Sequence, residues 1–160
     1  MRYKTLIENE LVELLKEKKL KVSTVESCTG GMIASRIVNV AGASDVLEAG
    51  FVTYSGSAKE ALAGVNKKTL EKYTAVSEET AYEMVTGEKP GPKADVYIAV
   101  TGYAGPTSYE GAPAGLVYIA VNVCGDVKVI RCLFEGDRQA VRESAAEKAL
   151  TLAVECLRNI

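Results

Sequence analysis

The stretch Val25-Glu26-Ser27-Cys28-Thr29-Gly30-Gly31 organises this chain. A β-prone run, residues 21–25, leads into it, and Met32, Ile33 and Ile37 lead out of it at helical spacing. The segment therefore predicts a strand-to-helix turn. Two glycines let the backbone approach a ligand closely there. The helix start offers unpaired N–H groups and a positive dipole end to an anion. Ser27 and Thr29 add hydroxyls. The chain has no histidine, so if Ser27 is a nucleophile its base is a lysine, a tyrosine or a carboxylate.

Outward from this turn the elements alternate. Residues 5–17 carry Leu6, Leu11, Leu14 and Leu15 among charges, an amphipathic helix closed by Lys18-Lys19. A helix runs from the glycine turn to about Val38, residues 39–45 loop around Gly42, and 47–54 read as a strand. Ser57-Ala58-Lys59-Glu60 fits a capping box with Ser57 as N-cap. Residues 69–73 fit a helical turn, and Ser77-Glu78-Glu79 opens a helix to about Thr86. Two prolines and two glycines make 87–93 a loop. The apolar run 96–100 predicts a buried strand, followed by a long loop over 101–115. Residues 116–124 and 127–134 predict a hairpin turned at Gly125-Asp126, pairing Cys124 with Val127 and Cys132 with Ile119. Asp137 is the expected N-cap of a last helix, Arg138–Arg158. Strands mixed with helices imply a layered α/β domain, and the hairpin makes its sheet mixed.

Composition sets the bounds. A chain of 160 residues suits one domain, residues 1–160, with a real core. Its net charge is −2 and its pI near 5.4, which argues against a nucleic-acid partner. No apolar run reaches membrane-spanning length. The start Met1-Arg2-Tyr3-Lys4 lacks a signal-peptide apolar region, so a cytoplasmic location is expected. Cys28, Cys124, Cys132 and Cys156 form no C-x-x-C pair; buried free thiols are expected rather than a zinc site or disulfides. The apolar first and last helices suggest pairing into a homodimer.

The candidate chemistry gathers around the turn. Ser27 is a nucleophile candidate, with backbone N–H groups around Cys28–Gly31 as oxyanion donors. Lys59 is the candidate base. A base near pH 7–8 needs its pKa about three units below 10.4, or about 4 kcal/mol. A helix dipole supplies only ~0.3–1 kcal/mol, so desolvation must supply the rest and Lys59 must be buried. Tyr54, at a strand end, is placed to orient both groups or relay the proton. Cys28 is a rival nucleophile whose pKa the helix end would lower. Thr101-Gly102-Tyr103-Ala104-Gly105-Pro106 follows a buried strand, where ligands bind in α/β sheets; it lacks dinucleotide spacing, and a Walker A motif is absent. Arg138 could pair with a phosphate or carboxylate, and Glu26 could orient a base or hold a ribose hydroxyl.

Five blocks together resemble the C-terminal domain of the CinA family. They are Glu26 to Gly31, Tyr54-Ser55 with Lys59, Ala75-Val76-Ser77-Glu78-Glu79, Val100 to Pro106, and Gly136-Asp137-Arg138. The resemblance implies a three-layer α/β/α sandwich that deamidates nicotinamide mononucleotide to nicotinic acid mononucleotide and ammonia, with no metal or other cofactor. It implies Ser27 as nucleophile with Tyr54 and Lys59 as catalytic partners. Glu26, Cys28, Thr29, Gly30, Gly31, Thr101, Gly102 and Arg138 are the expected substrate-binding residues. The same pocket without turnover would make the chain a nucleotide-binding or protein-interaction module. Two stretches depart from the family pattern, Gly87-Glu88-Lys89-Pro90-Gly91-Pro92 and Thr107-Ser108-Tyr109-Glu110, and both are expected to reshape the substrate mouth.

Overall fold

The computed structural model describes residues 5–109 and 111–160; Met1 to Lys4 and Glu110 lie outside the described residues. Five strands form one mixed sheet, in the order β2-β1-β3-β4-β5. They are β1 (Val22–Glu26), β2 (Leu47–Val52), β3 (Val96–Gly102), β4 (Leu116–Val123) and β5 (Asp126–Leu133). β1 runs parallel to both β2 and β3, while β4 and β5 are antiparallel. Six α-helices accompany them: α1 (Ile7–Lys18), α2 (Met32–Val38), α3 (Gly56–Ala63), α4 (Lys67–Tyr73), α5 (Glu78–Thr86) and α6 (Arg138–Arg158).

The period of two along the strands divides the core. Val96, Ile98 and Val100 of β3 and Val117, Ile119, Val121 and Val123 of β4 pack with α1, α2 and α6. Ala99, Ala120 and Val25 turn the other way, toward Ala63, Ala81, Met84 and Val85 of α3 and α5. The result is the expected α/β/α sandwich. Arg36 of α2 ties one helical layer together, reaching Glu8 of α1 and Glu147 of α6, each at 2.6 Å.

Side-chain caps set most helix starts. Ser77 Oγ accepts from Thr80 N at 3.1 Å and Asp137 Oδ1 from Ala140 N at 2.8 Å, as expected. The cap of α3 differs from the expectation. Ser55, not Ser57, accepts the Ala58 amide at 3.1 Å, because β2 ends at Val52 and the helix begins at Gly56. Ser57 instead shares a 3.0 Å hydroxyl contact with Ser55.

The hairpin register also differs. Its turn is Cys124-Gly125, with φ of 51° and 97°. Val123 thus pairs with Asp126, and Cys132 with Val117 rather than Ile119. A tight hairpin turn needs positive φ at both central residues. Glycine takes the second of these, and Asn122 Oδ1 secures it by accepting the Gly125 amide at 2.8 Å. β3 also runs two residues further than the apolar run suggested, since Gly102 still pairs with Val117. All four cysteines are free; Cys28 is buried and Cys124 exposed.

One backbone crossing fixes α3 against the end of α5. A Cβ on Gly87 would lie 2.3 Å from Ala63 O and 2.7 Å from Gly64 O. The φ of Gly87 is an ordinary −71°, so its requirement is space rather than conformation. Gly87→Ala is therefore expected to lower stability by about 1–3 kcal/mol, as overpacking does. Urea unfolding followed by far-UV circular dichroism measures it; a midpoint equal to wild type would show that the crossing is loose.

Candidate active site

The three parallel strands deliver the candidate residues at their carboxyl ends, where open α/β sheets hold ligands. Ser27 follows β1, Tyr54 follows β2, and Thr101 and Gly102 end β3. α3 returns Lys59 beneath Ser27, and the start of α6 brings Arg138 over them. These residues line one pocket of about 440 Å³ with Cys28, Tyr103, Tyr109 and the Ala75-Val76 segment.

Lys59 is 1% exposed. Its Nζ lies 2.9 Å from Ser27 Oγ and donates to Thr53 O at 2.7 Å. Burial lowers its pKa to about 8, which the nearby Cys28 only partly opposes. The amine therefore meets the burial its role requires. Ser27 is itself buried but opens to the pocket.

Tyr54 does not stand between these two groups. Lys59 touches Ser27 directly, while the Tyr54 hydroxyl accepts from Arg138 Nη2 at 3.1 Å and its residue is 63% exposed. Arg138 also donates to Gly105 O at 2.7 Å. Cys28 runs against the expectation of a lowered pKa. It packs among the apolar core, and burial pushes its thiol up to about 11. The charges of Lys59 and Arg142 oppose this only in part.

The helix N-terminus behind the turn is already occupied. Glu26, buried at the end of β1, accepts the Thr29 hydroxyl at 2.7 Å, the Ile33 amide at 2.9 Å and the Ala34 amide at 3.1 Å. An anionic side chain thus caps α2, in place of a bound ligand anion. Glu26, Thr29, Gly30 and Gly31 are not among the pocket residues; they hold the turn rather than line the cavity. Among the described residues, the Cys28 and Thr29 amides donate to no backbone or side-chain oxygen.

Thr101 and Gly102 build the pocket wall. The Thr101 hydroxyl donates to Ala75 O at 2.7 Å, tethering the segment before α5. A Cβ on Gly102 would meet Val117 Cγ2 at 2.6 Å. The two departures from the family pattern separate here. Thr107 and Tyr109 line the pocket, whereas residues 87–92 contribute nothing to it. The sequence did not single out Arg142, which donates to Cys28 O at 2.9 Å and Thr29 O at 3.2 Å. Its spacing of four from Arg138 on one helix was the available signal. Among the described residues, no cluster of three or more acidic or cysteine side chains is disposed to hold a metal ion, and no helix is long and apolar enough to cross a membrane.

A mixed-sheet α/β/α domain with a buried serine–lysine contact at its carboxyl edge is the class that fold and pocket define. The chain belongs to the CinA family: the CinA C-terminal domain model matches residues 4–157. A relative from Clostridium beijerinckii, named as competence-damage inducible, is 51% identical over 150 residues, 91% of this chain and 36% of that protein. A CinA-like protein of Kosmotoga olearia is 46% identical over 145 residues, covering 90% and 35%. The chain thus spans about a third of these relatives' length. Crystal structures of CinA superfamily proteins from Enterobacter cloacae and Klebsiella pneumoniae both align with a TM-score of 0.92. The first is 38% identical over 98% of this chain and 96% of that one, the second 35% over 96% and 97%.

Removing the buried amine tests its energetics. The unfolded chain keeps the lysine proton up to 10.5 and the folded chain only to about 8. Between those values the unfolded state binds more protons, so this group makes stability rise with pH. Lys59→Met is expected to be more stable than wild type at pH 7, by about 1–3 kcal/mol, with the gap closing by pH 10. Denaturant unfolding at the two pH values checks it; a Met variant less stable at pH 7 would mean that the amine's hydrogen bonds outweigh its desolvation.

Proposed function

We propose that this domain is an amidohydrolase that deamidates a nicotinamide nucleotide, nicotinamide mononucleotide, through a Ser27 acyl-enzyme. The observation that carries the reading is the 2.9 Å contact between a buried, hydroxyl-bearing turn and a lysine whose pKa burial has brought to about 8. A neutral Lys59 takes the Ser27 proton as Oγ attacks the carboxamide carbon. The Thr53 carbonyl holds one N–H of the amine, which leaves the lone pair for Ser27. The Cys28 amide, in the pocket wall, and the Thr29 amide, on the peptide that follows Cys28, are the donors proposed for the tetrahedral oxyanion. Lys59 then returns its proton to the leaving nitrogen, and the C–N bond breaks to release ammonia. Water attacks the acyl carbon and gives its proton to Lys59, which passes it to Ser27 Oγ as the C–O bond breaks, yielding the acid and the starting serine.

The substrate class follows from the family resemblance and from the pocket's outer half. Arg138 presents a guanidinium at the mouth, suited to a phosphate. The Tyr103 and Tyr109 rings, with centroids 6.0 Å apart, offer flat apolar surface to a heteroaromatic base or ribose. Tyr54 acts in this reading through Arg138 rather than as a proton relay.

Ammonia release from nicotinamide mononucleotide is the direct test. Ser27→Ala is expected to lose at least about 10³-fold in kcat while folding normally. Near-normal release would reject Ser27, and binding without release by wild type would make the domain a binding module. The wild-type kcat/KM is expected to rise with pH to a plateau above about 8, as Lys59 loses its proton. Arg138→Gln is expected to raise KM about 10- to 100-fold, the worth of a charged hydrogen bond; an unchanged KM would remove Arg138 from phosphate recognition.

A further inference from the structure

Arg142 sits one helical turn beyond Arg138, on the same face of α6. Arg138 reaches the pocket mouth, whereas Arg142 turns to the segment after Ser27. Its Nε donates to Cys28 O at 2.9 Å and its Nη2 to Thr29 O at 3.2 Å. Its Nη1 donates to Gln139 Oε1 at 3.0 Å. Among the described residues this guanidinium forms no ion pair. A permanent cation with a planar fork is thus committed to two successive main-chain carbonyls. Gly30, at φ +60°, lies against it: a Cβ there would stand 3.4 Å from Nη2, at ordinary contact distance.

We propose that Arg142 is a positioning residue that fixes the peptide planes after Ser27 and thereby aims the amides that serve the reaction. The carbonyl and the N–H of one trans peptide point in opposite directions. Gripping Cys28 O therefore sets the direction of the Thr29 N–H. The Gly30 amide does the same for the preceding plane, donating to Ser27 O at 3.0 Å. Glu26 holds the turn from the other side through Thr29 and the first turn of α2. The turn is thus clamped between a carboxylate and a guanidinium, and the Cys28 and Thr29 amides are left free to donate. Arg142 touches no substrate in this scheme and lies outside the pocket lining.

The proposal rests on Ser27 being the nucleophile, so the test separates the two. Arg142→Ala and Arg142→Lys are compared with wild type and Ser27→Ala in two measurements. One is the rate of Ser27 modification by a fluorophosphonate, followed by mass spectrometry from pH 6 to 10. The other is amide hydrogen exchange across residues 26–34. Arg142→Ala should slow modification about 100-fold, the scale of an ångström-sized misplacement, and Arg142→Lys should slow it less. The midpoint near pH 8 should not move. Exchange should accelerate at residues 28–30 while β3 and β4 keep their protection. Wild-type rates in both measurements would overturn the proposal. So would a shifted midpoint, which would place Arg142's effect on Lys59, or a loss of protection throughout the sheet, which would make it a fold stabiliser. If wild type and Ser27→Ala are modified alike, the Ser27 reading falls. Faster exchange confined to residues 28–30 then still establishes the grip, and unchanged exchange refutes it.

Discussion

The structure around the pocket depends on a lysine amine held out of water with no counter-ion among the described residues. Lys59 Nζ has two hydrogen-bond partners, the Thr53 carbonyl and the Ser27 hydroxyl, and both are neutral oxygens. Desolvation is the larger force on it. A helix N-terminus contributes ~0.3–1 kcal/mol, whereas a pKa brought from 10.5 to about 8 corresponds to about 3 kcal/mol. The fold produces that desolvation by stacking α3 against the ends of β1 and β2 and pressing it on α5. The crossing of Gly87 over Ala63 and Gly64 leaves no room for a side chain. Packing at the end of α3, one turn beyond Lys59, therefore contributes to the burial of its amine.

Glu26 shifts where negative charge can bind. A glycine turn before a helix is a ready anion site when its N–H groups are open. Here the carboxylate of Glu26 has taken the Ile33 and Ala34 amides, so α2's dipole is answered from within. A ligand anion at that helix end would meet a buried carboxylate. The remaining positive charge at the cavity belongs to Arg138, about the mouth, and to Lys59 when protonated. Under the proposed deamidation, a nucleotide phosphate would point outward to Arg138 and the reacting carbonyl inward to Ser27.

Much of the fold was legible because each signal was local. Asp137 and Ser77 cap the helices that their positions suggested, and the 96–100 run is the buried central strand. The structure departs from the expectation where two nearby residues compete for one role. Ser55 and Ser57 both suit an N-cap, and the choice fell to where β2 stops pairing with β1. Glycine can occupy either central position of a two-residue turn, and a shift of one there moved the hairpin register by two. In the site, Ser27 and Lys59 were legible because the absence of histidine restricts what a base can be. The observed roles of Glu26 and Arg142 were not, since most of their partners are main-chain atoms, up to 114 residues away for Arg142, and main-chain atoms leave no mark in a sequence. Thr101 was found for its place at a strand end; its observed contact is the tether to Ala75.

The same burial that suits Lys59 to the proposed role of base counts against Cys28 as its rival. A low-dielectric pocket disfavours whichever form is charged, so it lowers the lysine and raises the thiol. With values of about 8 and about 11, roughly one lysine in ten is neutral at pH 7, but only about one thiol in ten thousand is ionised. A cysteine nucleophile needs its thiolate formed beforehand. A serine does not, because its proton passes to the neighbouring amine as the bond to carbon forms. An alcohol beside a neutral amine is thus the pairing that this environment favours, and the helix end that would have rescued the thiol is already neutralised by Glu26. Substituting that carboxylate by an amide would reopen the helix end to other charges. Burial is the larger cause of the raised thiol, and the nearby Glu26 charge adds to it.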